Sequence, residues 1–382
     1  MKIEQQQWMP NSGWLGASAV LQGQAQLVLS FGQIEAVEDP NRYGELRQRY
    51  PNAHIIICST SGEIFGEAVY DDSITATAIA FNDSTLIAAS LNIADFPDSN
   101  RAGRELAGMI PAEGLAHLFL ITDGQLVNGS EVVAGVRAVI PDTVAVTGGL
   151  ASDGARFTRT LVGLDSPPTE GTMVAVGFYG ANLRVGYGTM GGWDSFGPDR
   201  VITRSERNVL YELDGQSALA LYKKYLGELA ADLPGSALLF PLSLRTPDQP
   251  TPVVRTILSI NENDDSMVFA GDMPQGAYAR LMKANFDRLI DGASHAAAES
   301  YQTIGTSQAE LAILISCVGR KLVLGPRTEE EVEAVREVVG PATILTGFYS
   351  NGEISPLGSS VRCELHNQTM TITTISELPV TA

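Results

Sequence analysis

The sequence predicts an α/β chain, with α+β as the alternative, in which mixed sheets covered by helices are built from repeated strand-helix-strand units in two domains. Three observations carry that prediction. Short runs that are apolar at every position, such as HIIIC and LAILISC, read as strands buried on both faces. Helical stretches separate such runs in pairs, the arrangement that covers a sheet with helices. A proline, an apolar run and a glycine turn also recur together, with 11 residues from Pro51 to Gly62, 13 from Pro141 to Gly154 and 11 from Pro341 to Gly352.

The first unit runs from Leu27 through LVLSFG, a helical stretch around YGELRQRY, Pro51, HIIIC and the turn STSGE. The second runs from Leu118 through LFLITDG, the helix SEVVAGVRAVI, Pro141, TVAVTGG and LASDG. The third runs from Leu311 through LAILISCVGR, the helix TEEEVEAVREVVG, Pro341, TILTGF and YSNGE. Between the units, SITATAIAF and TMVAVGFYG alternate as antiparallel strands do. Glycine and proline cluster in GWDSFGPDRVITRSE, which places a domain boundary at about 200 to 215. The following pattern VLYELDGQSALALYKKYLGELA ends in a helix. The longest predicted helix is AYARLMKANFDRLIDGASHAAA, with Tyr278, Leu281, Met282, Asn285, Leu289, Ala293 and Ala296 on one stripe. GDMPQG before it reads as a surface loop, with Gln275 or Gly276 near the helix cap.

Composition narrows the function classes. The 382 residues are 44% hydrophobic and 18% charged, enough for a sizeable core. Twenty-five basic against 44 acidic residues leave a net charge of −19, which repels a phosphate backbone, so nucleic acid is not an expected partner. No window approaches the about 20 apolar residues of a membrane span, and the N-terminus lacks the basic and apolar regions of a leader; a soluble cytoplasmic protein is expected. Three cysteines without a CxxC fit reduced thiols rather than a disulfide framework or a zinc site.

The turns carry the candidate chemistry. Ser59, Thr60, Ser61, Gly62 and Glu63 end a strand with small hydroxyl residues and a glycine, which exposes backbone N–H groups beside a carboxylate able to meet an ammonium. Ser350, Asn351, Gly352 and Glu353 form a second copy, and Ser152, Asp153 and Gly154 a third. Thr60 to Glu63 and Ser350 to Glu353 equally match a capping box, a local structural role, and both readings stay open. Arg320 with Lys321, in SCVGRKLVLG, reads either as a solvated turn or as the holder of a ligand carboxylate. Cys58 and Cys317 lack a nearby base: His54 shares a strand face with Cys58 but lies about 13 Å away along it. GLASDG is also not the GxSxG elbow of a hydrolase. A cysteine-dependent hydrolase is the least favoured reading.

CSTSGEI, GGLASDG, GWDSFGP with VLYELDGQSALALYKKYLG, LMKANFDRLIDGA, SCVGRKLVLG, GFYSNGEI and LHNQTMTITTI, taken in this order, resemble the FIST family over nearly the whole chain. The resemblance implies an N-terminal extension over 1–24, a FIST N-terminal domain over 25–205 and a FIST C-terminal domain over 206–382. It implies a non-enzymatic intracellular sensor of small ligands such as amino acids. Its output would pass through a separate partner, a histidine kinase or a cyclic-dinucleotide enzyme, with a homodimer compatible with the paired units. Some members of this size bind haem and sense nitric oxide. An axial ligand would then be sought at His366, in strand phase with Met370 and Ile372, or at His295, flanked by alanines.

Overall fold

A computed structural model describes residues 1–16, 20–246, 249–305, 308–357 and 361–378. The chain is α/β and its sheets are mixed. Each predicted unit places its two apolar runs side by side in parallel: Leu27–Gly32 with His54–Ser59, Leu115–Thr122 with Ala145–Leu150, and Leu311–Cys317 with Ile344–Ser350. The crossover helices are Pro40–Arg49, Gly129–Arg137 and Thr328–Val339, and the recurring proline precedes the second strand of each pair. An antiparallel strand lines the other side of each first strand: Ile74–Ala80, Thr172–Tyr179 and Met370–Glu377. Beyond it lie the outer strands Lys2–Met9, Thr85–Asn92 and Leu183–Met190.

The three sheets are completed by exchange. After its turn, the first unit sends Glu63–Phe65 to pair with Ile344–Ser350 of the third. The third sends Gly352–Pro356 to Ala145–Leu150 of the second, and the second sends Val162–Leu164 to His54–Ser59 of the first. No unit therefore holds a complete sheet of its own. The three sheets enclose a shared core that includes Leu29, Phe31, Phe119, Ile121, Ile313 and Phe348, with the Phe31 and Phe348 rings 4.7 Å apart.

The residues between Asp194 and Lys283 form a fourth sheet, inserted in the third unit between its outer strand and the helix Phe286–Ile304. The segments on either side of 205/206 thus interleave, because Leu183–Met190 pairs with Met370–Glu377. The stripe expected from Tyr278 to Ala296 divides in two. Tyr278–Lys283 is a strand, paired with Asp194–Glu206 and Leu242–Thr246. The helix starts only after Asn285, whose side chain caps the Arg288 N–H. A 3.6-residue stripe can be drawn through YARLMK, but its alternating burial is that of a strand, and sheet pairing decides the outcome. GDMPQG accordingly leads into a strand rather than a helix cap.

The helix Phe286–Ile304 lies close across the outer strand Leu183–Met190, and Gly186 and Gly188 permit the approach. A Cβ at Gly188 would stand 2.1 Å from the Ala296 carbonyl oxygen, and one at Gly186 would stand 2.1 Å from that of Ser300. Gly188→Ala is expected to cost about 1–3 kcal/mol in urea denaturation, since backbone must move to admit the methyl group. Gly44, in the helix Pro40–Arg49, has open space at its Cβ position, so Gly44→Ala serves as the control and should stabilise by about 0.5–1 kcal/mol. Equal effects of the two substitutions would contradict the packing described.

Candidate functional site

The ends of the parallel strands bring the three turns together as a ring. The Ser61 N–H donates to the Tyr349 carbonyl at 2.9 Å, the Ser152 N–H to Ser59 at 3.0 Å, and the Asn351 N–H to Leu150 at 3.2 Å. Each bond joins one unit to the next, in the same cyclic order as the strand exchange. Among the side chains at equivalent places, Ser61 Oγ donates to the Gly154 carbonyl at 2.9 Å and Ser152 Oγ to the Tyr349 carbonyl at 2.6 Å. Asn351 Nδ2 reaches the Gly124 carbonyl at 3.4 Å, and its buried Oδ1 has no partner.

The predicted turn residues separate by role. Glu63 is fully buried, with Thr60 Oγ1 donating to one carboxylate oxygen at 2.6 Å and Ser73 Oγ to the other at 2.8 Å. Glu353 is buried in the same way: Ser350 Oγ donates to Oε1, while the Thr369 N–H and Oγ1 donate to Oε2. Burial pushes both carboxyl groups up to about 8. The S/T-x-x-E spacing thus makes a side-chain contact within a strand-to-strand turn and does not start a helix. Ser59 Oγ accepts from the Leu161 N–H. Asp153 caps its own loop, accepting from the N–H groups of Phe157, Thr158 and Arg159. Gly62 has φ of +129°, and a Cβ there would collide with Lys321 Nζ. Lys321 donates to the Ser61 carbonyl at 2.7 Å and pairs with Asp71. Gly352 packs against the Leu365 side chain.

Arg320 is neither in a solvated turn nor turned toward a ligand. It lies in the helix Val318–Leu324 with 0% exposure, and its Nε and Nη2 donate to Glu331 at 3.1 and 2.7 Å. Its guanidinium also donates to the Gly191 and Leu289 carbonyls. Ser316 and Tyr349 hydroxyls complete the shell of Glu331.

The histidines do not fit a haem. His366 is buried inside its sheet, with Nε2 3.0 Å from the Ser355 carbonyl, and burial pushes its pKa down to about 4. His295 is exposed on the helix Phe286–Ile304. Neither lines the ring cavity described below. Cys58 and Cys317 are buried with thiols pushed up by desolvation, the reverse of an activated nucleophile, and His54 is engaged with Asp165 at 2.7 Å.

A cavity opens where the fourth sheet covers the Asn351 side of the ring. Its larger compartment, about 530 Å³, is lined by Gly124, Asn128, Arg207, Asn208, Gly271 and Asn351 among others. A smaller compartment of about 290 Å³ is lined by Thr256, Ile257, Leu238, Val318, Gly319 and Leu322 among others. Phe157, Leu258, Ala270 and Asn351 face both. Thr256, only 5% exposed, has an unpartnered Oγ1 on this wall. Four large apolar side chains that are exposed, Leu126, Phe157, Leu258 and Leu322, border the two compartments, an arrangement typical of a binding site. Thr256, Leu258 and Arg207 carried no sequence signal, because the fold alone brings the inserted strands over a turn some hundred residues away in sequence.

Three strand-exchanged units, with an inserted sheet bordering a ligand-sized cavity against the second and third of them, make up the fold. The chain belongs to the FIST family: the FIST N domain profile matches residues 26–216 and the FIST C domain profile matches residues 218–356. FIST domains sense small ligands in signalling. No curated protein matches the chain. Among solved structures, the chain is similar to one described as "Cyanuric acid hydrolase: evolutionary innovation by structural concatenation", at 9% identity and a TM-score of 0.28, over 98% of this chain and 99% of that one. A cyanuric acid hydrolase from A. caulinodans matches at 11% identity and a TM-score of 0.19, over 77% of this chain and 99% of that one. Similarity at this level carries no functional argument. No described helix is long and apolar enough to cross a membrane.

Proposed function

We propose that this chain is a non-enzymatic sensory protein that takes a small amino-acid-like ligand in the ring cavity and signals through a separate partner, a histidine kinase or a cyclic-dinucleotide enzyme. One observation carries the reading: of the three equivalent turn residues Ser61, Ser152 and Asn351, Asn351 lines the cavity under the inserted sheet, and its buried amide oxygen has no partner in the protein. A buried acceptor without a donor costs about 1–3 kcal/mol, a cost that a ligand ammonium or hydroxyl removes when the Asn351 side chain turns toward the cavity. Ser61, Ser152, Glu63 and Glu353 then hold the ring in shape behind Asn351. Ligand-dependent movement of the inserted sheet against the three-unit body supplies a signal that a partner can read.

Calorimetry of an amino-acid panel, with mass analysis of any ligand that co-purifies, tests this with Thr256→Val and Asn351→Ala. Thr256→Val should leave the melting temperature unchanged or slightly higher, because the hydroxyl it removes bonds nothing in the protein, while ligand affinity falls at least tenfold. Asn351→Ala should weaken binding by a similar factor. If both variants bind as the parent does, the ligand lies elsewhere.

A further inference from the structure

We infer that the cavity selects a monocarboxylate with a bulky apolar body, its carboxylate at Arg207 and its hydrocarbon in the smaller compartment. This rests on the proposed ring cavity as the ligand site and names the chemistry that the site takes.

The two compartments differ in character. The chain carries 44 acidic residues against 25 basic ones, yet among the described residues no aspartate or glutamate lines either compartment, and Arg207 is the single charged lining residue. Arg207 is well exposed, and its nearest anionic partner, Glu131, stands at 4.0 Å, a contact too long and too wet to hold the guanidinium firmly. A second cation lies behind the same wall. Gly271 lines the larger compartment, and the Arg255 guanidinium packs so close behind it that a Cβ on Gly271 would stand 2.8 Å from Arg255 Nε. Arg255 is buried, and its hydrogen bonds run to the carbonyls of Val254, Leu365 and Asp272. Carbonyl oxygens satisfy its N–H groups, and the Glu364 and Asp272 carboxylates act on its charge, so the cation left to meet an anion on this wall is Arg207.

Past Phe157, Leu258 and Asn351, the wall turns apolar, with Leu238, Ile257, Val318 and Leu322 around the smaller compartment. About 290 Å³ admits a branched or aromatic side chain, and burying such a group contributes about 1.5–3 kcal/mol. Thr256 and Asn351 line the wall between the two ends, and their buried, unpartnered Oγ1 and Oδ1 would meet an ammonium, an amide or a keto group only after a turn of each side chain toward the cavity. The shared chemistry is that of leucine or phenylalanine and of the corresponding 2-oxo acids. An ammonium has no carboxylate to meet, so the amino group contributes less to selection than either end.

The test is calorimetry of the full chain with leucine, phenylalanine, glycine, glutamate, 4-methyl-2-oxopentanoate and phenylpyruvate, each against the parent, Arg207→Gln, Leu238→Trp and the surface control Arg204→Gln. Leucine or phenylalanine, or their oxo acids, should bind at least tenfold more tightly than glycine and glutamate. Arg207→Gln should weaken every bound carboxylate about tenfold or more, Leu238→Trp should abolish the preference for bulk, and Arg204→Gln should change neither. Arg207 is exposed, so its substitution leaves the fold intact. Equal binding by parent and Arg207→Gln, tighter binding of glutamate, or no carboxylate binding at all overturns this inference. If a different, co-purifying ligand is lost in Thr256→Val and Asn351→Ala but retained in Arg207→Gln, the cavity stands as the site and only the carboxylate selection falls.

Discussion

Arg320→Met should destabilise the protein by about 3–5 kcal/mol in chemical denaturation, the cost of breaking a buried pair by removing one partner. The loss has three sources in the structure. Glu331 would be left at 0% exposure without its cation, with the Ser316 and Tyr349 hydroxyls as its remaining partners. The Gly191 and Leu289 carbonyls would lose their donor, and with it the link between the helix Val318–Leu324 and the start of the helix Phe286–Ile304. Removing both charges, in Arg320→Met with Glu331→Met, should recover a large part of the loss, because the uncompensated charge disappears while the volume is kept. A cost below about 1 kcal/mol for the single variant would show that the guanidinium is not structurally committed and would return Arg320 to the list of ligand contacts. Binding of a ligand that Arg320→Met weakens without any loss of stability would do the same.

The repeated units were legible because local chemistry and global fold agree in them. An apolar run, a helix, a proline and a second run specify a parallel pair with little help from the rest of the chain, and the three pairs and their crossover helices formed where the periodicity placed them. Strand exchange was invisible for a physical reason. EIF, VGL and GEISP are short segments whose pairing partners lie in another unit, and nothing in a run of three to five residues states which sheet edge will accept it. Tyr278–Lys283 shows the converse case, a run that fits a helical stripe until two neighbouring strands claim its backbone hydrogen bonds.

At the site, the three SxGE-like turns were legible as a set, and the structure brings them into one ring. Their individual roles were not, because role depends on what each side chain meets. The conspicuous carboxylates face hydroxyls of their own surroundings, and the inconspicuous Asn351 faces the cavity. Approximate threefold repetition explains the difference. A feature kept at all three positions is one that every junction needs, such as the ring of backbone bonds. The repetition fails on the side covered by the inserted sheet, where Asn351 lines a cavity.

Glu63→Gln and Glu353→Gln should each make the protein more stable than the parent at pH 8 and nearly equal to it at pH 5. Both carboxyl groups titrate near 8 in the folded protein and near 4.5 when unfolded, so folding favours the protonated form. A folded-state value above the unfolded one means that the associated stability is fully present below about pH 4.5 and is lost as pH rises through about 8. Between those limits the parent should fall behind each variant by about 1.4 kcal/mol per pH unit, and by a few kcal/mol at the upper end. Glutamine suits both places. Its carbonyl oxygen can accept from Thr60 or from Thr369, and its amide can donate to Ser73 or Ser350, whose hydroxyls rotate to accept. Comparing parent and variant at each pH cancels the titration of the surface carboxylates, several of which are held low by arginines and work in the opposite direction. The decisive measurement is the difference in unfolding free energy from pH 5 to pH 9: a difference that stays flat would mean that water reaches these carboxylates and that the turns are more open than their packing indicates. If instead the Gln variants gain stability with pH while ligand affinity in the cavity is unchanged, the two glutamates are the inner frame of the ring and take no part in binding.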